Sequence, residues 1–281
     1  MWMPTSYVVF HSFDPASIKK ITGFVSTGTA VGLLFFPPLE NLLIENWGLQ
    51  AAFLAVGLIV LAFTILAYES SRNSGVSQTM SLGEAVQLLK TRKFGFLYTY
   101  YAAGNAFSRS LVTIFLVPLL ESRGLGVSEG TLALVLIGVG SLIGRLTAGT
   151  KRLEEETVAG LGFILQGFCA LGMFLSSDPV SVAVLSVLFG VGYGAYIPEF
   201  ALLVRKYYGL SQYGTIFGVL LTSFGIGGFI GPVFEGVAVS SGFDYLPGFL
   251  SATVVSVLVG IHLLTASRKP KARVDESLEI G

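Results

Sequence analysis

Residues 180–204 read VSVAVLSVLFGVGYGAYIPEFALLV, a run in which Glu199 is the only charged residue. A helix of about 20 apolar residues crosses the hydrocarbon core of a bilayer, so this run is long enough to span it. Seven further apolar runs, separated by polar or charged residues, occupy 20–43, 47–68, 94–120, 131–150, 157–177, 213–239 and 245–267. We therefore predict an all-α, polytopic membrane bundle with eight spanning helices.

The composition excludes most soluble functions. Of the 281 residues, 53% are hydrophobic and 12% are charged, whereas soluble domains carry about 25% charged residues. Equal numbers of basic and acidic residues, 17 each, give no indication of a nucleic-acid partner. Cys169 is the single cysteine, which excludes a disulfide within the chain and a cysteine-based metal cluster. The sequence lacks a metal spacing or a nucleophile and base pattern, so we expect neither an enzyme nor a cofactor.

Polar connections divide the chain. The longest, residues 69–93, separates the first two spans within 1–68 from the six spans within 94–267, and a polar tail follows at 268–281. Ser81 and Glu84 have the spacing of a capping box ahead of an apolar run, which predicts a short helix on the membrane surface. An ordinary solvated turn is the alternative for this segment.

The basic residues predict the orientation. Connections assigned to one side hold 14 of the 17 lysines and arginines, and the opposite side holds only Arg123. Because basic loops stay in the cytoplasm, the first set and the C-terminus are predicted to be cytoplasmic. The set comprises Lys19, Lys20, Arg72, Lys90, Arg92, Lys93, Lys151, Arg152, Arg205, Lys206, Arg268, Lys269, Lys271 and Arg273.

Three glycine-rich stretches resemble one transporter family. Residues 23–32, GFVSTGTAVG, precede the tryptophan-led segment at 47–53, WGLQAAF; the other two stretches are 190–198, GVGYGAYIP, and 225–236, GIGGFIGPVFEG. In this order they resemble helices five and six, ten and eleven of the major facilitator superfamily. The surface segment before 94–120 is similar to the monocarboxylate and oxalate/formate carrier branch.

This resemblance implies a fold and a function. It begins inside the family's fourth helix, which implies a complete C-terminal six-helix half and a partial N-terminal half. The implied function is secondary transport of a small organic anion, a monocarboxylate or a dicarboxylate, by alternating access in the plasma membrane, with proton coupling or exchange. Two alternatives are open: a carrier of another solute such as a drug or sugar, and a truncated, non-transporting membrane scaffold.

Small residues at four-residue spacing let helix backbones approach closely in lipid. A static bundle uses the same packing, so the pattern alone does not require moving helices. The pairs are Gly28 and Gly32, Gly140 and Gly144, and Gly227 and Gly231.

Arg109 lies inside the span at 94–120, near Asn105. An arginine at the bilayer centre costs about 2.5–3.5 kcal/mol on insertion scales, so it should face a wet cavity or a carboxylate. We expect Arg109 and Asn105 to contact an anionic substrate; a purely structural ion pair is the alternative.

Arg145 matches by position the eighth-helix arginine with which carriers of the resembled branch bind a carboxylate. A guanidinium presents a planar fork of donors that fits a carboxylate and keeps its charge at physiological pH. The alternative is that Arg145 extends to the membrane interface.

Glu199 follows Pro198 in the middle of a span, where an unpaired carboxylate would take up a proton. It is our candidate for proton coupling, and a permanent salt bridge to Arg109 or Arg145 is the alternative. Tyr193 and Tyr196 on the same helix are candidates to line the substrate path, although tyrosines also populate membrane interfaces.

The loop after the eighth helix departs from the family pattern. That loop usually carries a glycine, an aspartate and arginines that hold the inward gate closed. Residues 149–156 read GTKRLEEE, which keeps the glycine and a basic pair but lacks the aspartate. The sequence therefore does not predict how the gate on this side is held.

Overall fold

The computed structural model describes residues 9–10, 13–71, 83, 87–88, 90–150, 153–210 and 213–267. Within these ranges the chain is helical and contains no strand, which confirms the all-α prediction. Seven of the described helices are long and apolar enough to cross a membrane. They are α1 (Pro15–Ser71), α2 (Arg92–Ser122), α3 (Val127–Ala148), α4 (Glu155–Leu175), α5 (Pro179–Tyr208), α6 (Tyr213–Ser240) and α7 (Leu246–Ser267).

Helices α2 to α7 coincide with the last six predicted spans, each end falling within four residues of its prediction. The tail 268–281 lies outside the described residues. So does most of the predicted surface helix near Ser81, of which Gly83, Gln87 and Leu88 are described and are helical.

The first two predicted spans are the two parts of α1, which are two helices that meet at one non-helical residue. Together they have 57 residues and are interrupted only at Gly48, whose φ of 80° and ψ of 169° are not helical. At 1.5 Å per residue, 57 residues would extend about 85 Å, far more than the roughly 30 Å hydrocarbon core. Glycine has no Cβ and therefore tolerates this positive φ, so the break occurs close to the predicted boundary at 44–46.

The two parts of α1 have different surroundings. The part before Gly48 packs against α3: a Cβ added at Gly138 of α3, for example, would lie 3.0 Å from the side chain of Leu34 and 3.1 Å from the backbone of Leu33. After Gly48 the apolar side chains of Phe53 and Leu58 are exposed, 72% and 66% respectively. Large exposed apolar side chains along a whole helix suit contact with lipid or with other membrane helices.

Close backbone contacts join α3 to α5. A Cβ added at Gly140 would meet the carbonyl oxygen of Val187, and one at Gly194 would meet the carbonyl oxygen of Ser141. Gly144 likewise fits only as glycine, because a Cβ there would lie 2.8 Å from the nitrogen of Ala195. The predicted role of the 140 and 144 pair in helix packing is confirmed.

The other two glycine pairs differ from each other. Gly227 and Gly231 of α6 lie against the backbone of α2, where a Cβ at Gly231 would be 2.7 Å from the carbonyl oxygen of Phe107. A Cβ at Gly28 would meet no other atom within 4 Å, and one at Gly32 would meet only Phe36 of its own helix. The prediction that Gly28 and Gly32 form a helix contact is therefore wrong for the described part of the chain.

The α3 and α5 contact gives a stability prediction. We expect Gly194→Ala to destabilise the folded protein by about 1–3 kcal/mol, because the added methyl group displaces a backbone carbonyl in a tightly packed interface. Thermal unfolding in detergent measures the change. Gly225→Ala is the matched control, since a Cβ at Gly225 meets nothing within 4 Å, and it should leave the unfolding temperature unchanged or slightly raised. Equal unfolding temperatures for the two variants would contradict this account.

Helix α5 has a well-defined start. Asp178 precedes Pro179 and accepts hydrogen bonds from the backbone nitrogen and the hydroxyl of Ser181, both at 2.8 Å. These bonds hold the pKa of the Asp178 carboxyl below its usual value.

Helix α2 changes its winding along its length. It is α-helical over Arg92–Tyr100, π-helical over Tyr101–Phe107, and α-helical again over Ser108–Ser122. π-helical turns are rare and often occur at functional sites, because they rotate the following residues relative to an ideal helix. The turn in α2 holds Asn105 in a fully buried position.

Candidate functional site

A cavity of about 610 Å³ lies between α1, α2, α5 and α6. Its volume is within the range of pockets that hold small organic molecules. Most of its wall is apolar, and its two charged residues are Arg109 on α2 and Glu40 on α1. The lining residues are Thr29, Gly32, Leu33, Phe36, Pro37 and Glu40 from α1; Tyr101, Asn105 and Arg109 from α2; Tyr193 and Ile197 from α5; and Phe217, Leu221 and Phe224 from α6.

Arg109 is the basic residue of the cavity wall. Its guanidinium carbon lies 5.1 Å from the centre of the Phe224 ring and 5.4 Å from that of Tyr193, distances at which an aromatic face attracts a cation. One of its terminal nitrogens is 3.4 Å from the hydroxyl oxygen of Ser110, and its Nε is buried without a hydrogen-bond partner. No acidic oxygen of the described residues lies within 4 Å, so the predicted structural ion pair is not seen.

Arg145 lies behind the cavity wall. It is fully buried, and its Nη1 donates to the backbone oxygen of Ser26 and to the hydroxyl of Thr29. Its Nε and Nη2 are buried without partners. The alternative that Arg145 extends to the membrane interface is therefore wrong.

Tyr193 lies next to both arginines. The guanidinium carbon of Arg145 is 5.3 Å from the centre of its ring, almost the distance at which Arg109 lies. Neither arginine has an anionic partner among the described residues, and each has unpaired N–H groups. Buried charges are costly without a counter-ion, so this end of the cavity is electrostatically complementary to an anion.

Glu199 forms no ion pair with either arginine. Its side chain is fully buried, and its Oε2 lies 3.7 Å from the ammonium of Lys19 at the start of α1. The predicted alternative of a salt bridge to Arg109 or Arg145 is wrong in this conformation. Lys19 was not among the predicted site residues, because nothing in the sequence connects it with a residue 180 positions later.

The sequence profile of the Major Facilitator Superfamily matches residues 1–153 and, in a second overlapping match, residues 102–279. The chain belongs to this superfamily. The profile, the seven membrane-capable helices and the helical bundle together establish an integral membrane protein of a transporter family.

The curated relatives of this superfamily member carry different cargoes, according to their names. The chain is 23% identical to the proton-coupled antiporter flippase LtaA of Staphylococcus saprophyticus, over 95% of this chain and 70% of the relative. It is 25% identical to the multi-drug resistance efflux pump PmrA of Streptococcus pneumoniae, over 83% and 60% of the two chains. It is 22% identical to monocarboxylate transporter 12 of Xenopus laevis, over 92% and 65%. The family resemblance read from the glycine motifs is confirmed.

Tyr196 of this superfamily member does not line the cavity. Its hydroxyl donates to Gln166 Oε1 at 2.6 Å and is 3.3 Å from Asn105 Oδ1. Gln166 in turn donates from Nε2 to the Gly104 carbonyl of the π-helical turn and to the Ser256 hydroxyl, both at 3.1 Å. These contacts indicate that Tyr196 and Gln166 support the α2 turn that presents Asn105.

Gln166 is a site residue that sequence reasoning missed. The available signal was a single amide side chain within the apolar run 157–177. A buried amide in a membrane span needs partners, so it predicts a polar contact with other helices, although the sequence does not identify them.

Proposed function

We propose that this superfamily member is a secondary transporter that carries a small organic anion by alternating access, with the cavity as its binding site. The main supporting observation is that Arg109 and Arg145 both lie within 5.4 Å of the Tyr193 ring centre, with unpaired N–H groups and no acidic partner in the described residues. A carboxylate would supply the missing acceptors in a bidentate geometry.

The two arginines have different proposed roles. Arg109 lines the cavity and is the first contact for the anion in the conformation described. Arg145 is a carboxylate ligand that becomes reachable when Thr29 and Tyr193, which separate it from the cavity, move aside. Asn105 adds an amide whose Nδ2 is buried without a partner.

Proton coupling is the second part of the proposal. One relative is named as a proton-coupled antiporter, and Glu199 is a fully buried carboxylate on the helix that carries Tyr193 and Ile197 of the cavity wall. A carboxylate in this position can alternate between a protonated state and a state paired with Lys19 as its surroundings change.

The proposed location is the plasma membrane, with the C-terminus in the cytoplasm. The bundle brings Lys19, Lys93 and Lys206 to one end: Lys19 donates to the Leu153 carbonyl at 2.7 Å, and Lys93 lies 4.3 Å from the ring centre of Tyr207. Arg123 contacts the Ser176 carbonyl, between α4 and α5. This grouping agrees with the basic asymmetry of the sequence.

A second candidate function is efflux of an amphipathic drug-like solute. The apolar wall formed by Phe36, Phe217, Leu221 and Phe224 favours it, and one relative is named as a multi-drug efflux pump. In this case the two arginines would be structural.

Uptake by proteoliposomes distinguishes the two functions. We expect a labelled carboxylate to accumulate and to be displaced by other carboxylates, while the matching neutral amides compete at least tenfold more weakly, because an amide cannot neutralise the arginines. Liposomes without protein give the background. Equal competition by amide and acid would favour the drug-like solute, and absence of uptake for every compound would contradict transport.

A further inference from the structure

Lys19 joins α1 to three other parts of the bundle. Its Nζ is 2.7 Å from the carbonyl oxygen of Leu153, 3.9 Å from Glu155 Oε1 and 3.7 Å from Glu199 Oε2. Leu153 precedes α4, Glu155 begins α4, and Glu199 lies in α5. A single side chain thus connects the start of α1 with α4 and α5.

The surrounding charges leave Glu199 dependent on Lys19. On α5, Lys206 pairs with Glu155 at 3.0 Å and with Glu156 at 2.7 Å, and the Tyr207 hydroxyl donates to Glu156 at 2.5 Å. These contacts stay within α4 and α5. The carboxylate oxygens of Glu199 make no hydrogen bond, so the ammonium of Lys19 is the cation paired with it in the described part of the chain.

The pair lies at one end of the cavity. Ile197 lines the cavity, and Glu199 is two residues further along α5. On α1, Thr29 of the cavity wall is ten residues from Lys19, about 15 Å along the helix. Glu199 is fully buried, and neither Glu199 nor Lys19 is part of the cavity lining, so the pair lies beyond the cavity wall at this end.

Helix α1 is held tightly where Lys19 pairs. A Cβ at Gly23 would be 2.7 Å from the carbonyl oxygen of Arg145, and one at Gly149 would be 3.0 Å from that of Lys19. Opening this end of the cavity therefore requires α1 to separate from α3, α4 and α5, and separation must break the Lys19 contacts.

We propose that Lys19 is a latch that holds closed the end of the cavity nearest the start of α1. It does so through its pairs with Glu199 and Glu155. The proposal rests on the proposed alternating access, because a latch has a function only if this end opens. Residues 149–156 lack the aspartate expected of the resembled family's gate, and Lys19 provides a different cross-link at the same end of the bundle.

Thiol labelling tests the latch without any substrate. Cys169 is the only cysteine, so a Cys169→Ser background can carry a single reporter, Ile197→Cys, in the cavity wall. A membrane-impermeant maleimide is applied to the face on which an exposed Lys20→Cys reporter is labelled. We expect Lys19→Gln to raise the labelling rate of the Ile197→Cys reporter several-fold, because loss of the ammonium frees α1 from α4 and α5.

Lys20→Gln is the matched control, since Lys20 is the adjacent lysine and is exposed. The Ile197→Cys reporter should be labelled at the same rate in this variant as in the protein with both lysines intact. Equal rates for the Lys19 and Lys20 variants would overturn the latch.

A double-mutant cycle protects the test against misfolding. If Lys19 acts through Glu199, Glu199→Gln should also raise the rate, and the double variant should gain less than the product of the single effects. Fully multiplicative effects would show that the two residues act separately and would overturn the pairing. Because labelling needs no solute, faster labelling without any anion uptake would uphold the latch while contradicting the proposed cargo.

Discussion

Arg109→Lys is expected to reduce anion uptake more than any other conservative change in the cavity. Lysine keeps the charge but loses the planar fork, and it cannot stack in the same way on the rings of Phe224 and Tyr193. A hydrogen bond to a charged group contributes about 1.5–3 kcal/mol, so the apparent affinity for the carboxylate should fall roughly 10- to 100-fold. Initial uptake rates over a range of substrate concentrations measure this change.

The control for this experiment is Arg92→Lys, the same substitution at an exposed residue of the same helix. It should leave uptake unchanged. Arg145→Lys tests the second ligand: if Arg145 binds the carboxylate in another state of the cycle, its variant should also lose uptake. Equal activity of the Arg92, Arg109 and Arg145 variants would remove both arginines from substrate binding and favour the drug-like solute.

Hydropathy predicted the helices because a bilayer allows few solutions. Each span must be apolar and must satisfy its own backbone hydrogen bonds, so length and composition suffice to locate α2 to α7. The same reasoning separated the two parts of α1 at 44–46, close to Gly48, which breaks the helix through its φ angle. Hydropathy does not show that the chain stays helical up to Gly48, with no loop between the two parts.

The candidate site was only partly predictable. Arg109 and Arg145 were identified because charge is rare and costly inside a span. Which of them lines the cavity depends on the π-helical turn of α2 and on the positions of Thr29 and Tyr193, which periodicity does not reveal. Tyr196 was expected in the path, yet its hydroxyl bonds to Gln166, a partner 30 residues away. Pairings between distant helices follow from the packing of the whole bundle.

Glu199→Gln is expected to abolish accumulation driven by a pH gradient. Glutamine has nearly the same shape as glutamate but cannot bind and release a proton, so coupling is lost if Glu199 carries the proton. Exchange of labelled for unlabelled substrate should be partly retained, since exchange requires no net proton movement. Proteoliposomes with an imposed pH gradient measure accumulation, and the same vesicles without a gradient measure exchange.

The matched control for Glu199 is Glu45→Gln, an identical change at an exposed acidic residue of α1, which should leave both activities intact. Two other results would contradict the coupling role. If the Glu199 variant inserts correctly but loses accumulation and exchange together, its carboxylate is needed to keep the Lys19 contact and hence the working shape of the bundle. If accumulation driven by the pH gradient is unchanged, Glu199 does not carry the proton, because no titratable group would then be left at this position to respond to the gradient.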